Sequence, residues 1–166
     1  METKKVLTRE NIPTDELQGI VEKVYKGVKL QYNEVYYLDY IVDEETGMIS
    51  NDVKEKHYTK SQMERNIKAL KNSYNIAKGS ASPIEIVNFR EKYNISASTF
   101  SIILGFSKNT ISNIENEGIT SLSSGRLIKM CLENTNIIDQ YVQLCDEIDS
   151  NKKQEISKRL RATECY

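Results

Sequence analysis

The chain has 166 residues, of which 39% are hydrophobic and 28% are charged, and its formal net charge is −1 at pH 7. This composition is that of an ordinary folded protein, which excludes a disordered tail or a fibre and leaves room for one domain or two small ones. The charge excludes a protein that is basic overall, so any binding of DNA has to come from a local patch.

No stretch of the sequence approaches the roughly 20 apolar residues that cross a bilayer, and the first ten residues lack the apolar centre of a signal peptide. We therefore expect a cytoplasmic protein without a membrane partner. Cys131, Cys145 and Cys165 form no CxxC pair, and His57 is the single histidine, so we expect no metal site and no other cofactor. Cys131 and Cys145 lie in helical apolar patterns and are predicted to be core thiols.

The first twenty residues have no firm period, and we expect coil there, with a helical turn after Thr14 as the alternative. Residues 20 to 50 are rich in Val, Ile and Tyr, which predicts two antiparallel strands joined near residues 31 to 33. Five of the ten tyrosines lie between Tyr25 and Tyr40, and we interpret them as the cover of a small sheet. The alternative, a platform for stacking RNA bases, normally has basic residues around the rings, whereas acidic residues surround them here.

Residues 59 to 78 place apolar side chains at steps of three and four, followed by Gly79, which predicts an amphipathic helix with a glycine stop. The apolar positions are Met63, Ile67, Leu70, Tyr74 and Ala77. The sequence "GSASP" then marks a boundary. We therefore assign residues 1–80 to a small β-containing domain with a connecting helix, which binds a partner or forms a dimer.

Five short helices are predicted in residues 81–150. The first has Ser82 as N-cap, Pro83 in its first turn and Glu85 as the reciprocal member of a capping box. Ser96 is predicted to cap the second helix, which Gly105 ends. Ser107 is predicted to cap the third, which carries Ile111 and Ile114 towards the core and ends at Gly118. The fourth begins at Ser123 or Ser124 and buries Leu127, Ile128 and Cys131, and the fifth spans residues 136 to 148. Residues 151–166 form a charged tail, either a short helix or a frayed segment.

The second and third helices are separated only by "GFS", which is the geometry of a helix-turn-helix. Gly105 permits the tight turn and Phe106 fills the angle between the helices. With its flanks, "IVNFREKYNISASTFSIILGFSKNTISNIENEG" resembles the lambda-repressor-like, Xre-type DNA-binding domain over residues 83 to 133. The resemblance rests on Arg90-Glu91, Ile95-Ser96, Leu104-Gly105, Ser107 and Glu115-Asn116, with Glu117 inserted before Gly118. The implied fold class is α+β: a small N-terminal antiparallel β-sheet with a connecting helix, followed by a five-helix DNA-binding domain.

The resemblance places the base-reading positions at the start of the third helix. Asn109 and Asn113 are four residues apart, and their amides can bond N6 and N7 of adenine, while Lys108 can reach guanine or phosphate. Thr110 and Ser112 can bond phosphate or pack against a thymine methyl. The full set of predicted DNA-binding residues is Ser107, Lys108, Asn109, Thr110, Ser112, Asn113, Ser96 and Ser98.

Two residues depart from the family pattern. Ala97 stands where a Gln commonly touches DNA, and Ser101 replaces the usual Ala that faces the third helix. Ala97 removes a DNA contact, and we expect Ser101 to put a hydroxyl at the tightest helix crossing.

The order of sheet, helix and "SPIEIVNFREKYNISASTFSIILGF" also resembles antitoxins of the MqsA/YgiT type and Panacea-type antitoxin proteins. Those proteins hold their N-terminal strands around zinc bound by CxxC pairs, which this sequence lacks before Cys131. The resemblance implies a regulator linked to a toxin or a mobile element, with residues 1–80 binding a protein toxin or another protein.

Together these features predict a transcriptional regulator, most simply a repressor of its own operon, that binds double-stranded operator DNA as a homodimer. The fifth helix is the candidate dimer surface. The alternative function is a protein-interaction module that uses the helical domain as an oligomerisation scaffold. With one His, no Gly-rich phosphate loop and no nucleophile elbow, an enzyme is not expected.

Overall fold

A computed structural model describes residues 4–162, which divide into two units, the first ending at Leu70 and the second beginning at Lys71. Within the described residues the chain is mixed α and β, with five strands and seven helices. The strands are β1 (Lys5–Leu7), β2 (Pro13–Asp15), β3 (Leu17–Tyr25), β4 (Val28–Val42) and β5 (Ile49–His57). The helices are α1 (Lys60–Ala77), α2 (Pro83–Tyr93), α3 (Ala97–Ile103), α4 (Thr110–Glu117), α5 (Leu122–Glu133), α6 (Thr135–Leu144) and α7 (Ser150–Arg161).

The β3–β4 hairpin turns at Lys26 and Gly27, whose φ angles of 48° and 75° are both positive. Two consecutive positive φ angles are typical of the type I′ turn, which matches the twist of the strands that it joins. The prediction of a turn at residues 31 to 33 was therefore wrong: Gln31 lies within β4, opposite Glu22 of β3. Lys26 occupies the first turn position, which is usually Asn, Asp or Gly, so the sequence did not indicate a type I′ turn there.

Three further strands lie where none was predicted. β1 and β2 form an antiparallel pair in the segment that was expected to be coil. β5 pairs antiparallel with the far end of β4, and His57 lies opposite Tyr37 in that ladder. Nearly all of β5 is exposed, so its sequence lacks the apolar alternation that identifies a half-buried strand.

Polar side chains of α1 hold the first unit together. Asn66 completes the edge of β4 beyond the end of β5: its Oδ1 accepts the Val35 N–H at 2.8 Å, and its Nδ2 donates to the Val35 carbonyl at 2.9 Å. Gln62 is fully buried. The predicted apolar stripe of α1 is only partly correct, because Leu70 is buried whereas Met63 and Ile67 are about half exposed.

The start of α2 confirms the predicted capping box. Ser82 Oγ accepts the Glu85 N–H at 3.3 Å, and a Glu85 carboxylate oxygen accepts the Ser82 N–H at 2.8 Å. Pro83 is the first helical residue. Glu85 also pairs with Lys129 of α5, and this hydrogen bond is the main reason that the pKa of Glu85 is lowered.

Helices α2 to α7 enclose one hydrophobic core. Its fully buried side chains include Ile86, Phe100, Ile111, Ile128, Ile138 and Val142. Cys131 and Cys145 are buried free thiols, as predicted, and Cys165 lies outside the described residues. None of the helices within residues 4–162 is both long and apolar enough to cross a membrane.

The end of the chain differs from the expected five helices followed by a tail. α6 ends at Leu144, earlier than predicted, although Ile148 beyond it is still buried. Residues 150–161 form α7, which buries Ile156 and Leu160 in the same core. Two apolar residues four apart are enough to dock a helix whose other sides are charged and exposed.

Candidate nucleic-acid interface

The turn between α3 and α4 is built as the residue types predict. Gly105 has a φ of 76°, in the left-handed region, and its N–H donates to the Ile102 carbonyl at 2.9 Å. The Phe106 N–H donates to the Ser101 carbonyl at 2.9 Å, and the Phe106 ring is half-buried against the core. The chain therefore leaves α3 and enters α4 within a few residues.

Ser107 does not cap α4, contrary to the prediction. The helix begins at Thr110, and its N-cap, Asn109, has helical backbone angles and makes no side-chain cap bond. The Ser107 hydroxyl instead lies 2.8 Å from the Thr110 hydroxyl, and the Ser107 carbonyl accepts the Thr110 N–H at 2.9 Å. A tight turn over residues 107–110 thus replaces the predicted serine cap.

The side-chain acceptor at the start of α4 comes from α3. Ser101 Oγ accepts the Ile111 N–H at 2.9 Å and donates to the Ala97 carbonyl at 2.9 Å. Ser101 is fully buried. The hydroxyl thus lies where α3 meets α4, as expected, and there it satisfies a buried backbone donor that otherwise has no acceptor within α4.

The inner side of α4 is fixed to the core. Ile111 and Ile114 are buried, as predicted. Glu115 accepts two hydrogen bonds from the Arg90 guanidinium of α2, at 2.5 and 2.7 Å, and Arg90 also donates to the Ile95 carbonyl at 3.0 Å. The bonds to Glu115 are the main reason that the pKa of Arg90 is raised. A helix held by apolar contacts and a paired charge has little freedom to rotate about its axis.

The predicted base-reading residues lie immediately before α4 and along the helix itself. Lys108, Asn109 and Asn113 are exposed, and their side chains bond no other residue in the described part of the chain. The Asn113 N–H donates to the Asn109 carbonyl at 2.9 Å, so the two amides lie one turn apart on the same side. Thr110 and Ser112 are half-buried. The arrangement presents two free amides and one free ammonium.

Ser96 and Ser98 lie at the start of α3. Ser96 caps this helix as predicted: its Oγ accepts the Thr99 N–H at 3.1 Å and donates to the Thr99 hydroxyl at 2.8 Å. The Ser98 hydroxyl lies 3.3 Å from that of Ser96. Ala97, at the position where a DNA contact was expected to be missing, is half-buried against the core.

Two residues of α1 that the sequence analysis missed fix the loop after α4. Asn72 Oδ1 accepts the Ile119 N–H at 2.9 Å, and Asn75 Nδ2 donates to the Ile119 carbonyl at 3.1 Å. Asn75 is buried. These contacts join residues more than 40 positions apart, so no local pattern in the sequence could have indicated them.

No group of three or more His, Cys, Asp or Glu side chains in residues 4–162 is arranged to hold a metal ion. Neither a comparison with models of known protein families nor a comparison with curated proteins finds a match for the chain.

Proposed function

We propose that the chain is a non-enzymatic, sequence-specific DNA-binding regulator of the lambda-repressor-like, Xre type, and that α4 enters the major groove. The observation that carries the proposal is the division of α4 into two sides. Ile111 and Ile114 hold its inner side, whereas Lys108, Asn109 and Asn113 project outward without partners in the described residues. A recognition helix needs this combination of fixed orientation and free polar groups.

Each outward group has a matching chemistry in DNA. An Asn amide can accept from N6 and donate to N7 of adenine, and a Lys ammonium can donate to guanine or to phosphate. The hydroxyls of Ser96, Ser98 and Ser107 suit the phosphate oxygens that position a protein on the duplex. Thr110 and Ser112 are half-buried. They are therefore better placed to contact a phosphate or a thymine methyl group than to form hydrogen bonds with base edges in the groove.

A homodimer is part of the proposal, because two copies reading half-sites about 34 Å apart bind more tightly than one. Only part of α6, the candidate dimer surface, is exposed and available for such a contact. Ile138 and Val142 of this helix are buried in the core, whereas Leu144 is 77% exposed. Any dimer contact of α6 would therefore centre on Leu144 rather than on a whole apolar face.

Fluorescence anisotropy tests the proposal with two labelled duplexes: the DNA upstream of the protein's own reading frame and a shuffled sequence of the same composition. A specific regulator binds its operator about 10³-fold or more tightly than other DNA at physiological salt. A preference of that order for the upstream duplex is expected. Equal binding to both duplexes at every salt concentration contradicts the proposal.

The runner-up function is a protein-interaction module, and exposed apolar side chains in the first unit favour a partner there. Ile20 and Val24 of β3 are 77% and 68% exposed. In the same unit, an open cavity of about 470 Å³ is lined both by apolar residues, including Ile12, Leu38 and Ile49, and by polar and charged residues, including Arg9 and Asp39. In the antitoxin form of the main proposal, this unit binds a toxin encoded next to the regulator.

Co-expression with the product of the neighbouring reading frame separates the two functions. A stable complex together with operator binding supports a toxin-linked repressor. A stable complex formed by a chain that binds no DNA favours the interaction module.

A further inference from the structure

The last helix is the most basic element of a chain whose net charge is −1. α7 carries five cationic residues and a single carboxylate, Glu155. Its cations are Lys152, Lys153, Lys158, Arg159 and Arg161. Such a local concentration of positive charge is the kind of patch that a nearly neutral protein needs to bind a polyanion.

Two of these cations lie along the segment that leads into α3. Lys152 and Arg159 are seven residues apart, about two turns, and therefore lie on the same side of α7. Lys152 Nζ donates to the Thr99 hydroxyl at 3.1 Å, and Arg159 donates to the Asn94 carbonyl at 3.0 Å. Thus α7 brings positive charge to both ends of residues 94–99.

Lys152 joins the hydroxyl groups already described at the predicted DNA contact. The Thr99 hydroxyl that accepts from Lys152 also accepts from Ser96, whose oxygen lies 3.3 Å from that of Ser98. In the described residues Arg159 pairs with Glu155 at 3.4 Å, whereas Lys152 pairs with no carboxylate. Lys152 is an exposed residue and its ammonium is bonded to a neutral oxygen, so no carboxylate neutralises its charge.

The contacts of α3 show on which side Lys152 lies. Ser101 contacts the start of α4, and Thr99 contacts Lys152. Residues two apart in a helix project in nearly opposite directions. Lys152 and the start of α4 therefore contact different sides of α3, and Lys152 shares the Thr99 hydroxyl with Ser96, which is itself a predicted DNA contact.

We propose that Lys152 of α7 contacts a phosphate of the DNA backbone and extends the interface beyond the helix-turn-helix. This inference rests on the proposed function. An ammonium at a phosphate releases a condensed counterion, so one such contact adds about 0.9 to the slope of log K against log salt. The contact carries no sequence information and acts equally on every duplex.

The test is anisotropy of the full chain on the upstream and shuffled duplexes from 50 to 200 mM KCl. Lys152→Gln is compared with Lys158→Gln, which removes the same charge from an exposed position on another side of α7. Lys152→Gln is expected to reduce the slope by about 0.9, so its loss of affinity across this fourfold salt range is about 3.5-fold smaller than that of the wild type. Lys158→Gln keeps the wild-type slope, and Lys152→Arg restores it.

The outcomes separate this inference from the function on which it rests. If the wild type prefers the upstream duplex but Lys152→Gln and Lys158→Gln have the same slope of log K against log salt, the proposed phosphate contact is wrong. The proposed function as a DNA-binding regulator is then still supported. If the wild type binds neither duplex, both are wrong. A change of affinity in Lys152→Gln at constant slope, with a lowered melting temperature, identifies a purely structural role and overturns the inference.

Discussion

The hydroxyl of Ser101 accepts the backbone N–H of Ile111 at 2.9 Å, linking the middle of α3 to the first turn of α4. Both residues are fully buried, so water cannot replace the bond. Ser101→Ala removes the acceptor with little change of shape and leaves a buried donor unsatisfied, which costs about 1–3 kcal/mol. We predict a decrease of that size in the free energy of unfolding, measured by urea denaturation.

Ser150→Ala is the matched control for this variant, because Ser150 is an exposed serine in the first turn of α7. Its effect should stay within about 0.5 kcal/mol of zero. Equal stabilities of the two variants would mean that the Ser101 hydroxyl does not hold α4.

Gly118 and Gly105 offer a matched pair at the two ends of the proposed recognition unit. Both have a positive φ, 87° and 76°, so replacement by Ala strains the backbone in each case. The strain is larger at Gly118, because its φ of 87° with a ψ of 164° is a conformation that essentially only glycine adopts. A Cβ at Gly118 would also lie 2.7 Å from the Asn72 side chain, whereas a Cβ at Gly105 would have no atom within 4 Å. Gly118→Ala should therefore destabilise the protein by about 1–3 kcal/mol more than Gly105→Ala.

A double variant identifies the source of that difference. Asn72→Ala removes two of the three crowding atoms, Cγ and Oδ1, and leaves the Cβ at 2.8 Å. Gly118→Ala should therefore cost less in the Asn72→Ala background than in the wild type, but still more than Gly105→Ala alone. If the additional cost in the Asn72→Ala background equals the cost in the wild type, the clash is not the cause.

Glu16 makes the stability of the first unit depend on pH. Its carboxylate is nearly buried and its pKa is lowered, chiefly by the hydrogen bond from Arg65 and further by that from Gln62. A group with a lowered folded-state pKa stabilises the fold fully above its unfolded value, about 4.3 for Glu, and this contribution is lost as the pH falls through the folded-state pKa.

Glu16→Gln should therefore lower the free energy of unfolding at pH 7 and progressively less below about pH 4. Urea titrations followed by the amide NMR signals of β3 and β4 measure this dependence in the first unit. Glu10→Gln, at an exposed carboxylate, is the matched control, and its free energy of unfolding should stay within about 0.5 kcal/mol of that of the wild type at pH 7. A difference between Glu16→Gln and the wild type that stays constant with pH would show that the ion pair does not couple stability to protonation.

Features set by neighbouring residues could be predicted from the sequence. Ser82, Pro83 and Glu85 form their capping box within four positions, and Ser96 caps α3 through a residue three positions ahead. The periodicity of the second unit likewise identified Ile111 and Ile114 as core residues. These features can be predicted because the interacting residues are close neighbours in the sequence, so a local pattern contains the whole interaction.

Features set by distant residues could not be predicted. The pattern at Ser107 suggested a cap, but the acceptor for α4 is Ser101 of another helix. Strand β5 is stabilised by its ladder with β4 and not by buried side chains of its own, so it has no apolar period. For α7, only Ile156 and Leu160 mark the buried side, which did not distinguish a docked helix from a frayed one.

Recognition of a specific sequence by α4 requires its outward amides to contact bases. The decisive measurement is anisotropy on the upstream and shuffled duplexes with three proteins: the wild type, Asn109→Ala/Asn113→Ala, and the control Asn88→Ala/Asn151→Ala. The control removes two exposed amides from α2 and α7. Each bidentate contact to adenine contributes about 1–3 kcal/mol of discrimination, about 5- to 150-fold. We predict that the α4 variant loses at least that much affinity for the upstream duplex, with little change on the shuffled one, while the control variant matches the wild type. If the α4 variant and the wild type bind both duplexes equally and with the same salt slope, α4 does not read the sequence.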